Sequence, residues 1–304
     1  MVTAVVAVLA AGAAACGGEQ ESEASDGRVS GEIAVDGSST VYPFAQAGAE
    51  LFNSESSDVR ISVGQSGTGG GFEKFCVGET DISTASRPIE QEEIDICKEN
   101  GVEYTEVQVA NDGIAVVTNP ALEIDCLTTE QLKEIWNKGS KVQSLADVDP
   151  SLPDAPLSLF GPGTDSGTFD FFTDVVNGEE GVTRDDYEAS EDDNQLVQGV
   201  SGSEGGLGYF GFSYYEANAD KLNLVDVDGG DGCVTPSAET IQDNSYQPLS
   251  RPLYVYPSNE ALERPEVEAF MEFLVANQQT ISEAAKIVPL TEGQAAEAAG
   301  ALGS

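Results

Sequence analysis

The chain contains no histidine among its 304 residues. That absence removes the imidazole base of Ser-His-Asp and Cys-His nucleophile systems and the commonest ligand of hydrolytic zinc, so the usual extracellular hydrolases are excluded. Basic residues are scarce too: 13 Lys and Arg stand against 54 Asp and Glu, a formal net charge of −41. Such a balance argues against nucleic acid or an anionic membrane surface as a partner. It does not imply disorder, because 40% of the residues are hydrophobic and the acids are spread among periodic apolar segments. The charge reads as a solvated shell suited to high ionic strength; recruitment of a cationic partner is the alternative. The nucleotide-binding patterns G-x-x-x-x-G-K-[ST] and G-x-G-x-x-G are also missing from GQSGTGGGFEK at 64–74, and a G-x-S-x-G nucleophile elbow fails there at Thr68. Neither a catalytic group nor a metal or other cofactor is expected.

No long hydrophobic run follows the N-terminal segment, so the body is expected to be soluble. Residues 4–15 (AVVAVLAAGAAA) are too short to span a bilayer but fit the apolar region of a signal peptide. Cys16 follows three alanines and precedes Gly17, Gly18 and a polar tract, the arrangement of a bacterial lipoprotein signal in which this cysteine becomes the acylated N-terminus. An ordinary secretory signal is the alternative: no Lys or Arg precedes the run, which leaves room for an upstream start, and Ala13 is a weak outer lipobox residue. The expected division is a signal peptide at 1–15 and a flexible tether at 16–27, with the folded body beyond. About 280 residues remain, enough for two lobes with separate cores.

Four further cysteines, Cys76, Cys97, Cys126 and Cys233, make an even number in a chain with an export signal, and two disulfides are expected. Three pairings are open. The short segment between Cys76 and Cys97 favours their union, leaving Cys126 for Cys233. A metal-thiolate site is disfavoured because no C-x-x-C spacing and no histidine accompany them.

Strands alternate with helices along the body. Residues 31–35 (GEIAV) and 59–63 (VRISV) read as strands, each followed by a Gly- and Ser-rich turn and a helix, YPFAQAGAELFNSE and FEKFCVGE. Residues 112–118 (DGIAVVT) read as a buried strand, TTEQLKEIWNKG as a capped helix ended by Gly139, and LSLFGPGTDSGTFDFFTDVVNG as strand, turn and helix once more. GYFGFSYY at 208–215 reads as a strand leading into a helix, and the Ala-rich tail as a terminal helix. This α/β alternation implies mainly parallel sheets with ligands at the carboxyl ends of strands. The acidic stretches at 179–193 and 226–232 do not keep the order of a calcium loop and read as solvated loops.

Three turns share one chemistry: Ser38-Ser39-Thr40, Ser66-Gly67-Thr68-Gly69-Gly70 and Thr164-Asp165-Ser166-Gly167-Thr168. Each places hydroxyls and unobstructed amides at a helix N-terminus, where backbone donors lack internal partners and the dipole is positive. Ser, Thr and Asp cap any helix, so one such turn is unremarkable. Three after strands point to a shared anion site.

At this point the sequence resembles a known family. DGSSTVYPFAQA, SGTGGGFEKFCVGETDISTASRPI, GPGTDSGTFDFFT, SEGGLGYFGFSYY and SRPLYVYP, in order over roughly 30–290, look like PstS-type phosphate-binding proteins, the substrate-binding component of the phosphate-specific ABC transporter. The resemblance implies a periplasmic-binding-protein fold of two α/β lobes closing on phosphate, joined by crossings near 107–110 and 249–253. Lobe 1 would comprise 28–108 and 252–304, and lobe 2 would comprise 109–251. Carried over by motif, phosphate contacts fall on Ser39, Thr40 and the Val41 amide, on Thr68, and on Ser166, Gly167 and Thr168. The best-known form has an aspartate where this chain has Arg87, and an arginine around the position of Pro162. Arg87 is therefore expected to supply the main ionic contact, its planar fork suiting two phosphate oxygens. The family's aspartate accepts the proton of hydrogen phosphate and repels sulfate, so a substitute is needed. Asp165 is the nearest by motif, with Asp36 and Asp193 behind it. The implied partners are inorganic phosphate, the permease subunits of an ABC transporter and, through lipidated Cys16, the outer face of the cytoplasmic membrane; the protein is expected to be a monomer. A receptor for sulfate or molybdate, a phosphoester hydrolase and a sensor acting on a membrane kinase are the alternatives.

Overall fold

The computed structural model describes Met1 and residues 29–55 and 58–303. The signal segment at 4–15, Cys16 and the tether at 16–27 lie outside the described residues. The chain enters β1 (Gly31–Gly37), helix α1 (Tyr42–Glu55), β2 (Val59–Val63), α2 (Gly67–Phe75), β3 (Ile82–Ala85) and α3 (Gln91–Glu99). β2, β1 and β3 pair in parallel, with Val35 opposite both Val63 and Ile82. α1 buries Phe44, Ala45, Gly48, Ala49 and Phe52 on one face, the spacing that a helix presents to a sheet. Phe52 meets Phe270 and Phe273 edge-on at 5.4 and 5.3 Å, the favoured aromatic geometry. Helix α2 begins at Gly67, earlier than the expected Phe72, so the Gly-rich turn is itself the first part of the helix. Its glycines allow that approach: a Cβ on Gly71 would lie 2.5 Å from the Cα of Gly37.

β4 (Val107–Thr118) is longer than the expected 112–118 and holds the two halves of the sheet together. At about 3.3 Å per residue such a strand is roughly 40 Å long. Its first part, to Gly113, pairs antiparallel with β11 (Ser250–Pro257), and Ile114–Thr118 pairs antiparallel with β8 (Gly206–Gly211). The intervening chain supplies β5 (Cys126–Thr128), α4 (Thr129–Trp136), β6 (Ser158–Pro162), α5 (Gly167–Phe172), β7 (Glu188–Ser190), β9 (Asn223–Asp228) and β10 (Cys233–Val234). β8, β6 and β7 are again parallel. The sheet order is β2-β1-β3-β11-β4-β8-β6-β7, with β9, β5 and β10 branching from β4. Antiparallel pairing is thus confined largely to the strands by which the chain leaves one half and returns, since those must run in opposite senses. This is the expected α/β periplasmic-binding-protein architecture.

Two large apolar clusters fill the halves. One gathers Ile33, Phe44, Phe52, Val107, Leu253 and Phe270, and the other Val116, Leu132, Trp136, Phe172, Tyr209 and Val225. Burying one such side chain stabilises by about 1.5–3 kcal/mol. α4 is held by a capping box in which Gln131 N donates to Thr128 Oγ1 at 3.1 Å and Thr128 N donates to Gln131 Oε1 at 2.9 Å. Disulfides join Cys76 to Cys97 and Cys126 to Cys233.

Candidate functional site

The first turn leaves the carboxyl end of β1. Ser38 N donates to Thr84 O at 2.9 Å, and the first helical bond runs from Tyr42 N to Ser38 O, also 2.9 Å. The amides of Ser39, Thr40 and Val41 precede that bond and have no helical partner. Asp36 fixes the second turn beside the first: it accepts from the Ser66 hydroxyl and from Lys74 Nζ, each at 2.6 Å. Burial opposes its ionisation, but these donors hold its carboxyl below the ordinary range. Both of its oxygens are engaged, which makes it a scaffold. The hydroxyl of Thr68 contacts Ser86 Oγ at 3.1 Å and accepts from Ser86 N at 3.2 Å, tying this turn to the residue before Arg87.

The third turn follows β6. Ser166 caps α5 by accepting from Thr168 N at 3.2 Å, and the helix continues through a π-type turn at Thr173–Asn177 to left-handed Gly178. Gly167 is pressed against the first turn: a Cβ there would collide with the hydroxyl and amide of Thr40 and lie 2.8 Å from Ser39 Oγ. A second link is a hydrogen bond from the Ser39 hydroxyl to Asp170 Oδ2, 3.2 Å. Segments distant in sequence therefore touch at this junction.

The cation at this junction is Arg251, on β11. Its Nη2 donates to Thr40 Oγ1 at 2.6 Å and to Gly167 O at 3.1 Å, while Nε donates to Asp112 Oδ2 at 3.2 Å. The guanidinium lies 3.8 Å from the centre of the Phe171 ring, a close cation–π contact. Burial lowers its proton affinity and Asp112 restores part of it. Arg87, by contrast, is bound in a fork by Glu93, with contacts of 2.7 and 2.9 Å, and reaches Glu90 at 3.2 Å. The Glu93 hydrogen bond holds the Arg87 pKa above its ordinary value.

Two cavities flank the Thr40–Gly167 contact. The first, about 640 Å³, is lined by Ser39, Thr40, Thr68, Arg87, Gly167, Asp170 and Arg251. The second, about 450 Å³, is lined by Ser39, Thr40, Ser166, Gly167 and Thr168, with Asp112, Asp165, Glu191, Asp193, Tyr214 and Lys286. Thus Ser39, Thr40 and Gly167 border both, Thr68 and Arg87 face only the first, and Ser166 and Thr168 only the second. The Val41 side chain is fully buried and borders neither. Asp165 is exposed, and its amide donates to Glu191 Oε1 at 3.3 Å. Asp193 is pushed up to about 7 by burial and by Asp192, Asp112 and Glu191.

Sequence reasoning assigned no role to Arg251, Asp112 or Asp170. For Arg251 a signal existed in SRPLYVYP, an arginine inside an apolar strand between Leu249 and Leu253, where an isolated charge requires a buried partner.

A family model of the PBP superfamily domain matches residues 22–278. Protein SphX of Synechococcus elongatus is 43% identical over 261 residues, 85% of this chain and 77% of the relative. The phosphate-binding protein PstS of Staphylococcus saprophyticus is 41% identical, covering 95% of this chain and 88% of that one. A crystal structure from Planctomyces limnophilus, described as "a possible phosphate binding protein", superposes with a TM-score of 0.86 at 45% identity, over 90% of this chain and 98% of the other. By sequence, architecture and the order of its three turns, the chain belongs to the PBP superfamily, within the group that contains the SphX and PstS proteins.

Proposed function

We propose that this protein captures inorganic phosphate outside the cytoplasm in the cleft between two lobes and delivers it to the permease of an ABC-type transporter. The observation that carries the reading is the meeting of the Thr40 and Gly167 turns beneath a largely buried arginine, which puts amides, hydroxyls and one cation at a single point. The phosphate contacts are Ser39, Thr40, the Val41 amide, Thr68, Arg87, Ser166, Gly167 and Thr168, joined by Arg251. The lobes comprise 28–108 with 252–304, and 109–251. Because the Thr40 and Gly167 turns now touch, the lobes part by the width of the anion to admit it and close over it. Micromolar affinity requires about 8 kcal/mol, and charge-assisted hydrogen bonds contribute about 1.5–3 kcal/mol each, so this donor set suffices without a dense positive patch. A net charge of −41 is no obstacle when the donors are local and the surrounding acids are screened by salt. The protein acts as a monomer, performs no catalysis and is held at the membrane by acylated Cys16. The names of the PstS relative and of the Planctomyces structure support the choice of ligand.

Equilibrium dialysis with radiolabelled phosphate, in competition with sulfate, arsenate and molybdate, tests the reading. Displacement by arsenate but not by sulfate or molybdate is expected. Binding of sulfate or molybdate in place of phosphate would reassign the ligand.

A further inference from the structure

Resting on the phosphate reading and its two lobes, we infer that Gln294 is a positioning residue that favours the closed cleft from outside the ligand site. It stands on the terminal helix Glu292–Ala301 and borders neither of the two cavities. It completes a capping box there: Gln294 N donates to Thr291 Oγ1 at 3.1 Å, and Thr291 N donates to Gln294 Oε1 at 3.0 Å. That use leaves the Nε2 hydrogens available. Nε2 donates at 3.0 Å to Gln242 O, at the end of the helix Ala238–Gln242 in the other lobe, and Oε1 also accepts from Asn111 Nδ2 at 3.2 Å. One side-chain amide therefore joins the last helix of lobe 1, a helix of lobe 2 and the crossing strand β4.

More bonds run through the same place. Gln242 Nε2 donates to Pro289 O at 2.9 Å, and Asn111 Nδ2 donates to the same oxygen at 3.2 Å. Asn111 N donates to Val288 O at 2.8 Å and Val288 N to Asn111 O at 3.0 Å, so the segment before the terminal helix lies as a short rung beside β4. Its side chains divide between the cores: Val288 packs in the cluster of Trp136 and Val225, whereas Ile287 and Leu290 pack in that of Phe44 and Phe270. Residues 287–294 are thus a third link between the halves beside β4 and β11, and a noncovalent one. Asn111 is only 2% exposed, and a buried amide that loses its partners is costly, which makes the network resist rearrangement. The next residue along β4, Asp112, holds Arg251, which reaches Thr40 Oγ1 and Gly167 O. A lobe rotation that carries the helix Ala238–Gln242 away from Gln294 breaks the Nε2 bond. The bond therefore favours the arrangement in which the Thr40 and Gly167 turns touch, and a larger closed population binds ligand more tightly.

The test is calorimetry with inorganic phosphate, together with small-angle scattering of the ligand-free protein, on wild type, Gln294→Glu, Gln242→Ala and Thr291→Ala. Gln294→Glu keeps both capping-box bonds but has no Nε2 donor, and Gln242→Ala removes the bond to Pro289 O. Each should weaken phosphate binding about three- to tenfold, the worth of one neutral hydrogen bond, and leave the ligand-free protein less compact than wild type. Thr291→Ala removes the cap alone: the melting temperature should fall by about 2 °C while phosphate affinity stays at the wild-type value. Wild-type affinity and compactness in both Gln294→Glu and Gln242→Ala would overturn the inference. So would a loss of affinity in Thr291→Ala equal to that in Gln294→Glu, which would reduce the effect to helix stability. Wild-type protein that binds no phosphate, with the two glutamine variants still less compact, would overturn the phosphate reading and support the positioning role, a separable result. Should Gln294→Glu fail to fold, Gln242→Ala decides by the same two measurements, because it leaves the capping box intact.

Discussion

Arg251 Nη2 and Thr40 Oγ1 are 2.6 Å apart although 211 residues separate them in sequence. The same nitrogen reaches Gly167 O, and the other face of the residue holds Asp112. One side chain on a returning strand therefore ties together both turns and the outgoing strand. Removing it as Arg251→Ala takes away a cation and leaves Asp112 without its partner, so phosphate affinity should fall by about 100-fold or more and stability by about 3 kcal/mol. Arg251→Lys keeps the charge but not the planar fork or the contact with Phe171, and a loss nearer tenfold is expected. Arg87→Ala should weaken binding less than Arg251→Ala, because Glu93 already neutralises much of Arg87's charge. Calorimetry of the three variants ranks the two arginines; the reverse order would make Arg87 the principal cation.

Gly167 offers a steric test of closure. Its Cβ position is occupied by Thr40 and Ser39, so Gly167→Ala should fold normally yet hold the two turns apart. Phosphate binding falls by more than about tenfold, the worth of about one hydrogen bond to a charged ligand. Small-angle scattering with saturating phosphate would show the wild-type protein more compact than the variant, and equal compaction would argue against a closure limited at this contact.

Asp193 gives a signed pH dependence. Its carboxyl, ordinarily near 3.8, is pushed up to about 7 in the folded protein, so between those values the native state binds more protons than the unfolded chain. Stability contributed through this group is therefore greatest below pH 4 and declines as pH rises to 7. Allowing for its partial exposure, the decline is about 1–2 kcal/mol. Urea unfolding at a series of pH values, compared between wild type and Asp193→Asn, isolates it: the difference should narrow or reverse toward pH 7, with the asparagine variant relatively more stable at the upper end.

The two disulfides differ in the length of chain they close, 107 residues for Cys126–Cys233 and 21 for Cys76–Cys97. In the chain-entropy account the longer loop contributes about 4–5 kcal/mol and the shorter about 3. The double variant Cys126→Ala, Cys233→Ala should therefore melt below Cys76→Ala, Cys97→Ala by several degrees, a difference differential scanning calorimetry resolves.

The strand–turn–helix units could be read from the sequence because each strand is short, apolar and followed by Gly and Ser. The sequence pattern leaves β4 five residues short because Gln108 and Asn111 interrupt its apolar run, which resumes only after Asp112. Two of those polar groups are answered by remote residues, Asn111 by Gln294 and Asp112 by Arg251, which no local pattern reveals. The start of α2 was missed because consecutive glycines are poor helix formers. Here the close approach of Gly71 to Gly37 overrides that propensity. The turns of the site were visible as local chemistry, whereas their convergence, and the cation beneath them, come from contacts spanning 84 to 211 residues.

The most direct measurement of the central claim is isothermal titration of the mature protein with inorganic phosphate at neutral pH. The account predicts one site per chain with micromolar or tighter affinity, weakened by about 100-fold or more in Arg251→Ala and unaffected by equimolar sulfate. An absence of phosphate binding, or equal binding of sulfate, would contradict it.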